Sequence, residues 1–134
     1  MGSKVPPVPI DQEVIRKAPL FTALDDVAAA SLLANMVSVK ISKGSVLFAE
    51  GDEGDQLYVI AEGKLKLATS SGDGRENLLS ILGPGEMFGE LSLFDPGPRT
   101  STATAVTDAK LLSLGQEKLL PWLAENPKVA LQLL

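Results

Sequence analysis

Phe88-Gly89-Glu90-Leu91-Ser92-Leu93-Phe94-Asp95-Pro96-Gly97-Pro98-Arg99-Thr100-Ser101-Thr102 reads as a short helical turn, a tight Pro/Gly corner, and an arginine followed by three hydroxyl residues. Gly89 has no Cβ, so a ligand can approach the main chain closely there. If Leu91-Ser92-Leu93-Phe94 begins a helical turn, its free N–H groups point back toward Gly89 and carry partial positive charge. That arrangement suits an anion, above all a phosphate. Asp95-Pro96-Gly97-Pro98 then reverses the chain, because proline fixes φ and glycine supplies positive φ. The reversal brings Arg99 back toward the same place, where its planar fork can grip a phosphate through two bonds. Glu90 should repel an anion, so its place is with sugar hydroxyls, which donate to a carboxylate. Gly89, the amides of Leu91 and Ser92, Glu90 and Arg99 are therefore candidate ligand-binding residues; Phe88, Thr100 and Ser101 stand beside them in the candidate set, and the ligand that fits is a small phosphate ester with a ribose. The competing reading is structural: Gly89 serves a bend, Glu90 and Arg99 form a plain ion pair, and the hydroxyl residues belong to a strand. Residue by residue the two readings compete; the full set at this spacing favours the ligand.

Composition narrows the classes. A chain of 134 residues has room for one core, and 45% hydrophobic with 22% charged residues is ordinary for a globular domain. A net charge of −5 argues against nucleic-acid binding by these residues themselves. There is no cysteine and no histidine, which removes disulfides, thiolate metal sites, cysteine-ligated clusters and imidazole-ligated haem. No stretch approaches a membrane span, since the run from Val27 to Val37 is broken by Ser31 and Asn35. No signal peptide is visible, and a cytoplasmic protein is expected.

Along the chain, residues 1–10 contain Pro6, Pro7 and Pro9 and are set aside as a flexible tail, with Met1-Gly2-Ser3 resembling a cloning remnant. Asp11 is placed to cap a short helix ended by Pro19. Asp25 and Asp26 open a second helix to about Met36, with Val27, Ala30, Leu33 and Ala34 expected on its packed face. From Val37 the period changes to alternation. Val37-Val39-Ile41, Val46-Leu47-Phe48, Leu57-Tyr58-Val59-Ile60, Lys64-Leu65-Lys66-Leu67, Leu78 to Leu82, Ala103 to Val106 and Lys110 to Leu114 read as strands, with Ser71-Gly72-Asp73-Gly74 as a hairpin. About eight short strands at this spacing imply a sandwich or jelly-roll barrel. Gln116 to Glu125 is a helix expected to pack Leu119, Leu120, Trp122 and Leu123, and Pro127 starts another.

The segment from Gly89 strongly resembles the phosphate-binding cassette of the cyclic nucleotide-binding domain, in particular that of Crp/Fnr-type transcriptional regulators of the actinobacterial cAMP-receptor branch. The resemblance extends through Lys43-Gly44, Phe48-Ala49-Glu50-Gly51, Gly54-Asp55, Leu57-Tyr58-Val59-Ile60, Glu62-Gly63-Lys64-Leu65-Lys66 and Asp73-Gly74-Arg75-Glu76-Asn77-Leu78-Leu79, covering roughly residues 18–134. It implies a mainly β fold with flanking helices, an eight-stranded jelly roll (double-stranded β-helix). It also implies cAMP as an allosteric ligand, with cGMP sharing the phosphate and ribose, and no other cofactor. Gly89 and the amides after it would meet the cyclic phosphate, Glu90 the ribose 2′-hydroxyl and Arg99 the phosphate, with Thr100 and Ser101 adding hydroxyl or amide contacts. Residues 11–125 would form the sensor domain. Residues 126–134 would start a truncated dimerisation helix with a seam of Val129, Leu133 and Leu134. In that family the helix pairs two subunits and leads to a helix-turn-helix domain, so a homodimer, DNA and RNA polymerase are partners only of a full-length protein, and no membrane is involved. An enzyme of the metal-dependent jelly-roll kind would need histidines, which are absent, so no enzymatic activity is expected. The remaining alternative is a degenerate jelly-roll interaction or dimerisation module that binds no nucleotide.

Overall fold

The computed structural model describes residues 12–22, 24–89 and 96–133. Short helices α1 (Gln12–Ile15), α2 (Pro19–Thr22) and α3 (Asp26–Leu33) come first. Ten strands follow among the described residues: β1 (Val37–Ile41), β2 (Val46–Phe48), β3 (Glu53–Gly54), β4 (Gln56–Glu62), β5 (Leu65–Ser70), β6 (Glu76–Leu82), β7 (Met87–Phe88), β8 (Gly97–Pro98), β9 (Thr102–Ala105) and β10 (Ala109–Gly115). Helices α4 (Gln116–Glu125) and α5 (Pro127–Leu133) close the order. One antiparallel sheet runs β1-β10-β4-β7, a second runs β2-β9-β5-β6, and β3 pairs with β8 in a two-stranded piece. This is the jelly roll with flanking helices. Seven of the ten are the runs read from the sequence; the two-residue strands β3, β7 and β8 are the additions, β8 lying in the Pro/Gly corner.

Alternation along β4 and β10 divides the core. Leu57, Val59 and Ala61 on β4, with Leu112 and Leu114 on β10, face Ile15, Phe21, Leu32, Leu119 and Trp122 of the helices. Ile60 and Leu111, from the opposite faces of the same strands, meet Leu65, Phe88, Ala103 and Ala105 inside the roll. Period-two geometry requires this split in a strand covered on both sides. In register, Leu111 lies opposite Ile60 and Leu112 opposite Val59.

Asp25 caps α3, its carboxylate accepting from Ala28 N at 2.7 Å. The packed face differs from expectation: Ala29 and Leu32 are buried, whereas Val27 is 81% exposed. The run is apolar nearly all round, so its periodicity does not select a face. Tertiary contacts do: Trp122 Nε1 donates to Ser31 Oγ at 2.9 Å and orients the helix against α4. The Leu78-Leu79-Ser80-Ile81 run forms β6, an edge strand that leaves Leu78, Leu79 and Ile81 more than half exposed. The Ser71–Arg75 hairpin joins β5 to β6, with Ser71 N bonded to Arg75 O at 2.8 Å. On α4, Leu120 is exposed, against the expectation that it packs. On α5, Val129 packs partly buried against the helix-side core, while Leu131 is 74% exposed. Asp11, the expected cap of α1, lies outside the described residues, as do residues 1–10 and Leu134. Among the described residues no helix is long and apolar enough to cross a membrane.

Candidate functional site

Two pairings bring the site together from distant parts of the chain. Tyr58 opposite Phe88, and Val59 opposite Met87, dock β7 on β4 and place Gly89 at its exit. Glu53 opposite Pro98, and Gly54 opposite Gly97, dock β8 on β3 and deliver Arg99. The main chain of Arg99 is held on both sides: its N–H donates to Asp52 O at 2.7 Å, and its carbonyl accepts from Gly51 N at 2.8 Å. Two neighbouring bonds fix the loop and strand that frame it. Ala49 N donates to an Asp52 carboxylate oxygen at 2.9 Å, and Glu50 N donates to Thr102 Oγ1 at 2.9 Å.

Arg99 is 8% exposed. Arginine is almost never this buried without specific partners. Here Nη2 donates to Gln56 O at 2.9 Å, and Cζ lies over the Phe48 ring 4.2 Å from its centroid and 5.8 Å from that of Tyr58. The Phe48, Tyr58 and Phe88 rings form one cluster, with centroids 5.4–6.1 Å apart. Burial raises the Tyr58 phenol above its ordinary pKa of 10.0, against the lowering pull of Arg99, and Asp55 adds to the rise.

The side chain of Arg99 passes over two glycines. A Cβ on Gly89 would stand 2.8 Å from Arg99 Nη1 and 3.0 Å from Gln56 O, and Gly89 also has φ +79°, so both space and conformation demand glycine. A Cβ on Gly54 would fall 2.2 Å from Arg99 Nε. Gly54 has no positive φ, so its missing side chain serves only the close approach.

Of the residues expected at the site, the structure brings Arg99 against Gly89. Phe88 is 4% exposed and contributes from inside the roll, through its ring stack with Tyr58. Thr100 is exposed and Ser101 is 8% exposed, so of the two Thr100 is the one open to solvent. Glu90, Leu91 and Ser92 lie outside the described residues. The sequence reading gave no role to Phe48, Gly54 or Gln56. Gln56 acts through its carbonyl, which leaves no side-chain signal, whereas Gly54 stands where no turn requires a glycine. Among the described residues no group of three or more His, Cys, Asp or Glu converges on a metal position.

The chain is similar in sequence and fold to known regulators. The chain is 45% identical over 122 residues to a "CRP-like cAMP-activated global transcriptional regulator" of Mycobacterium tuberculosis, covering 91% of this chain and 54% of that protein. It is 44% identical over 88 residues to a "Cyclic AMP receptor protein" of Thermus thermophilus, covering 66% of this chain and 41% of that protein. The chain thus spans about half the length of the curated relatives it matches. Among solved structures, the N-terminal domain of a transcriptional regulator from Streptomyces coelicolor superposes with a TM-score of 0.84 at 58% identity, covering 87% of this chain and 82% of that one. Residues 38–126, from β1 through the Gly89–Arg99 site to the end of α4, match the family described as "Cyclic nucleotide-binding domain", and the chain belongs to that family.

Proposed function

We propose that the chain is the cAMP-sensing domain of a Crp-type transcription regulator. The observation that carries this reading is Arg99, a buried guanidinium fixed by its backbone and set against the Cβ-free surface of Gly89. A fork held in a desolvated seat beside an open main chain suits a dianionic or monoanionic phosphate ester. Gly89 and the amides of Leu91 and Ser92 take the cyclic phosphate together with Arg99, Glu90 takes the ribose 2′-hydroxyl, and Thr100 and Ser101 add polar contacts at the rim. cGMP shares these groups and binds through them as well. Residues 11–125 form the sensor unit, and 126–134 begin a dimerisation helix.

The named role of the Mycobacterium tuberculosis relative as a transcriptional regulator supports a role in transcription for a full-length protein. A homodimer, DNA and RNA polymerase are its proposed partners, engaged only by that full-length protein. In this reading the domain acts as a cytoplasmic sensor rather than as an enzyme. Calorimetric titration with cAMP, alongside 5′-AMP and adenosine, tests it. Saturable 1:1 cAMP binding at micromolar levels, much weaker with adenosine, is expected. No heat and no saturation at millimolar cAMP would leave the non-binding interaction module as the better account.

A further inference from the structure

We propose that Phe48 is a positioning residue for Arg99: its ring holds the guanidinium electrostatically and so presets the fork before a phosphate arrives. Phe48 ends β2, opposite Ala103 of β9, and is half-buried at the margin of the roll core. Core filling alone asks only for an apolar side chain there; leucine would occupy similar space. An aromatic ring adds a quadrupole whose negative face attracts a cation. Arg99 Cζ sits 4.2 Å from the Phe48 centroid, closer than to Tyr58 at 5.8 Å.

The Phe48 ring is itself braced. It tilts against Tyr58 at 5.9 Å and against Phe88 at 6.1 Å, and those two rings stack on each other at 5.4 Å. Three strands, β2, β4 and β7, therefore fix the surface on which the cation rests. Attraction to a ring consumes no hydrogen-bond donor, so it does not compete with the in-plane N–H groups that grip phosphate oxygens. Arginine has among the largest rotamer entropies of any side chain. Ordering it in advance removes that cost from the binding step. Gly54 completes the seat by leaving room for Nε and Cδ.

The affinity arm of the test rests on the proposed nucleotide binding; the spectroscopic arm does not. In the full chain, the Phe48 ring is replaced by a pentafluorophenyl ring, which keeps the shape and reverses the quadrupole. Phe48→Tyr serves as the variant that keeps the face negative. The Arg99 Nε–Hε resonance of the ligand-free protein is expected to shift and broaden on fluorination and to stay near its parent position in Phe48→Tyr. cAMP affinity is expected to fall roughly 2- to 30-fold on fluorination, the span of a cation–π contact, and to change little in Phe48→Tyr. An Arg99 resonance indifferent to fluorination would overturn the proposal, as would undiminished affinity in a parent that binds cAMP. If the parent binds no cAMP, the nucleotide reading falls, and the Arg99 resonance alone decides the role of Phe48.

Discussion

Burying a guanidinium is costly unless its surroundings replace water, and Arg99 is 8% exposed. A carbonyl, two rings and two glycine surfaces stand against it, and each bears on its cost and its direction. Arg99→Ala is expected to weaken cAMP binding by about 2–5 kcal/mol, roughly 30- to 4,000-fold by calorimetry. Arg99→Lys should also bind more weakly, because a point charge cannot reproduce two parallel bonds. Gly54→Ala probes the seat from the other side. Its backbone tolerates alanine but its Cβ would displace the Arg99 side chain, so cAMP affinity should drop on the order of tenfold, about 1.4 kcal/mol, with a melting temperature close to the parent's. Equal affinity would mean that Arg99 reaches the ligand by another path. Tyr58 gives an optical readout, since it is the only tyrosine in the chain. Its folded pKa lies above 10.0, so it stabilises the fold fully below the unfolded value, and that contribution is lost as pH rises through the folded pKa. Absorbance at the phenolate band should show the folded protein titrating above the unfolded chain. Removing Arg99, whose charge lowers this pKa, should push the titration higher still. At this scale Gly89 and Arg99 were legible in sequence because their chemistry is in their residue type. The parts played by Gly54, Gln56 and Phe48 were not, because they depend on what another strand brings alongside.

Among the elements, β1 and β5 were readable by alternation, and β4 as a short run apolar on both faces, which marks a strand covered on both sides. The pairs β3 and β8 are two residues each, too short for any period, yet they deliver Arg99. Helix α3 failed in the opposite way: with apolar residues around most of its circumference, its buried face is chosen by Ala29, Leu32 and the Trp122–Ser31 bond. The β5–β6 hairpin carries a carboxylate contact that acid should weaken. Asp73 accepts from the Ser71 hydroxyl and from Arg75 N, and the hydroxyl bond, chiefly, holds its carboxyl below the ordinary value of 3.8. A depressed folded pKa contributes stability above the unfolded pKa, and that contribution disappears as pH falls through the folded one. Asp73→Asn keeps an accepting oxygen but cannot titrate. Comparison of melting temperatures at pH 7 and in the acid range below 3.8 should therefore show a smaller fall for Asp73→Asn than for the parent. Identical falls would mean that the hairpin bonds do not discriminate charge.

Over the whole molecule, the helices and both sheets share two cores that meet at β4 and β10, so a ligand held between β7, β8 and their neighbours is coupled to global stability. A ligand that binds only the folded state stabilises it by mass action, about 2.7 kcal/mol at a hundredfold over Kd. For a domain of this size that is a rise in melting temperature on the order of 5–15 °C. The jelly roll itself was legible from strand spacing and glycine corners, and its pairing order was not, because register depends on partners far apart in sequence. Thermal melts of the parent and of Arg99→Ala, each with and without millimolar cAMP, decide whether Arg99 holds the nucleotide. The account predicts a rise of several degrees in the parent and a much smaller one in Arg99→Ala. No rise in the parent, or an equal rise in both proteins, would contradict it.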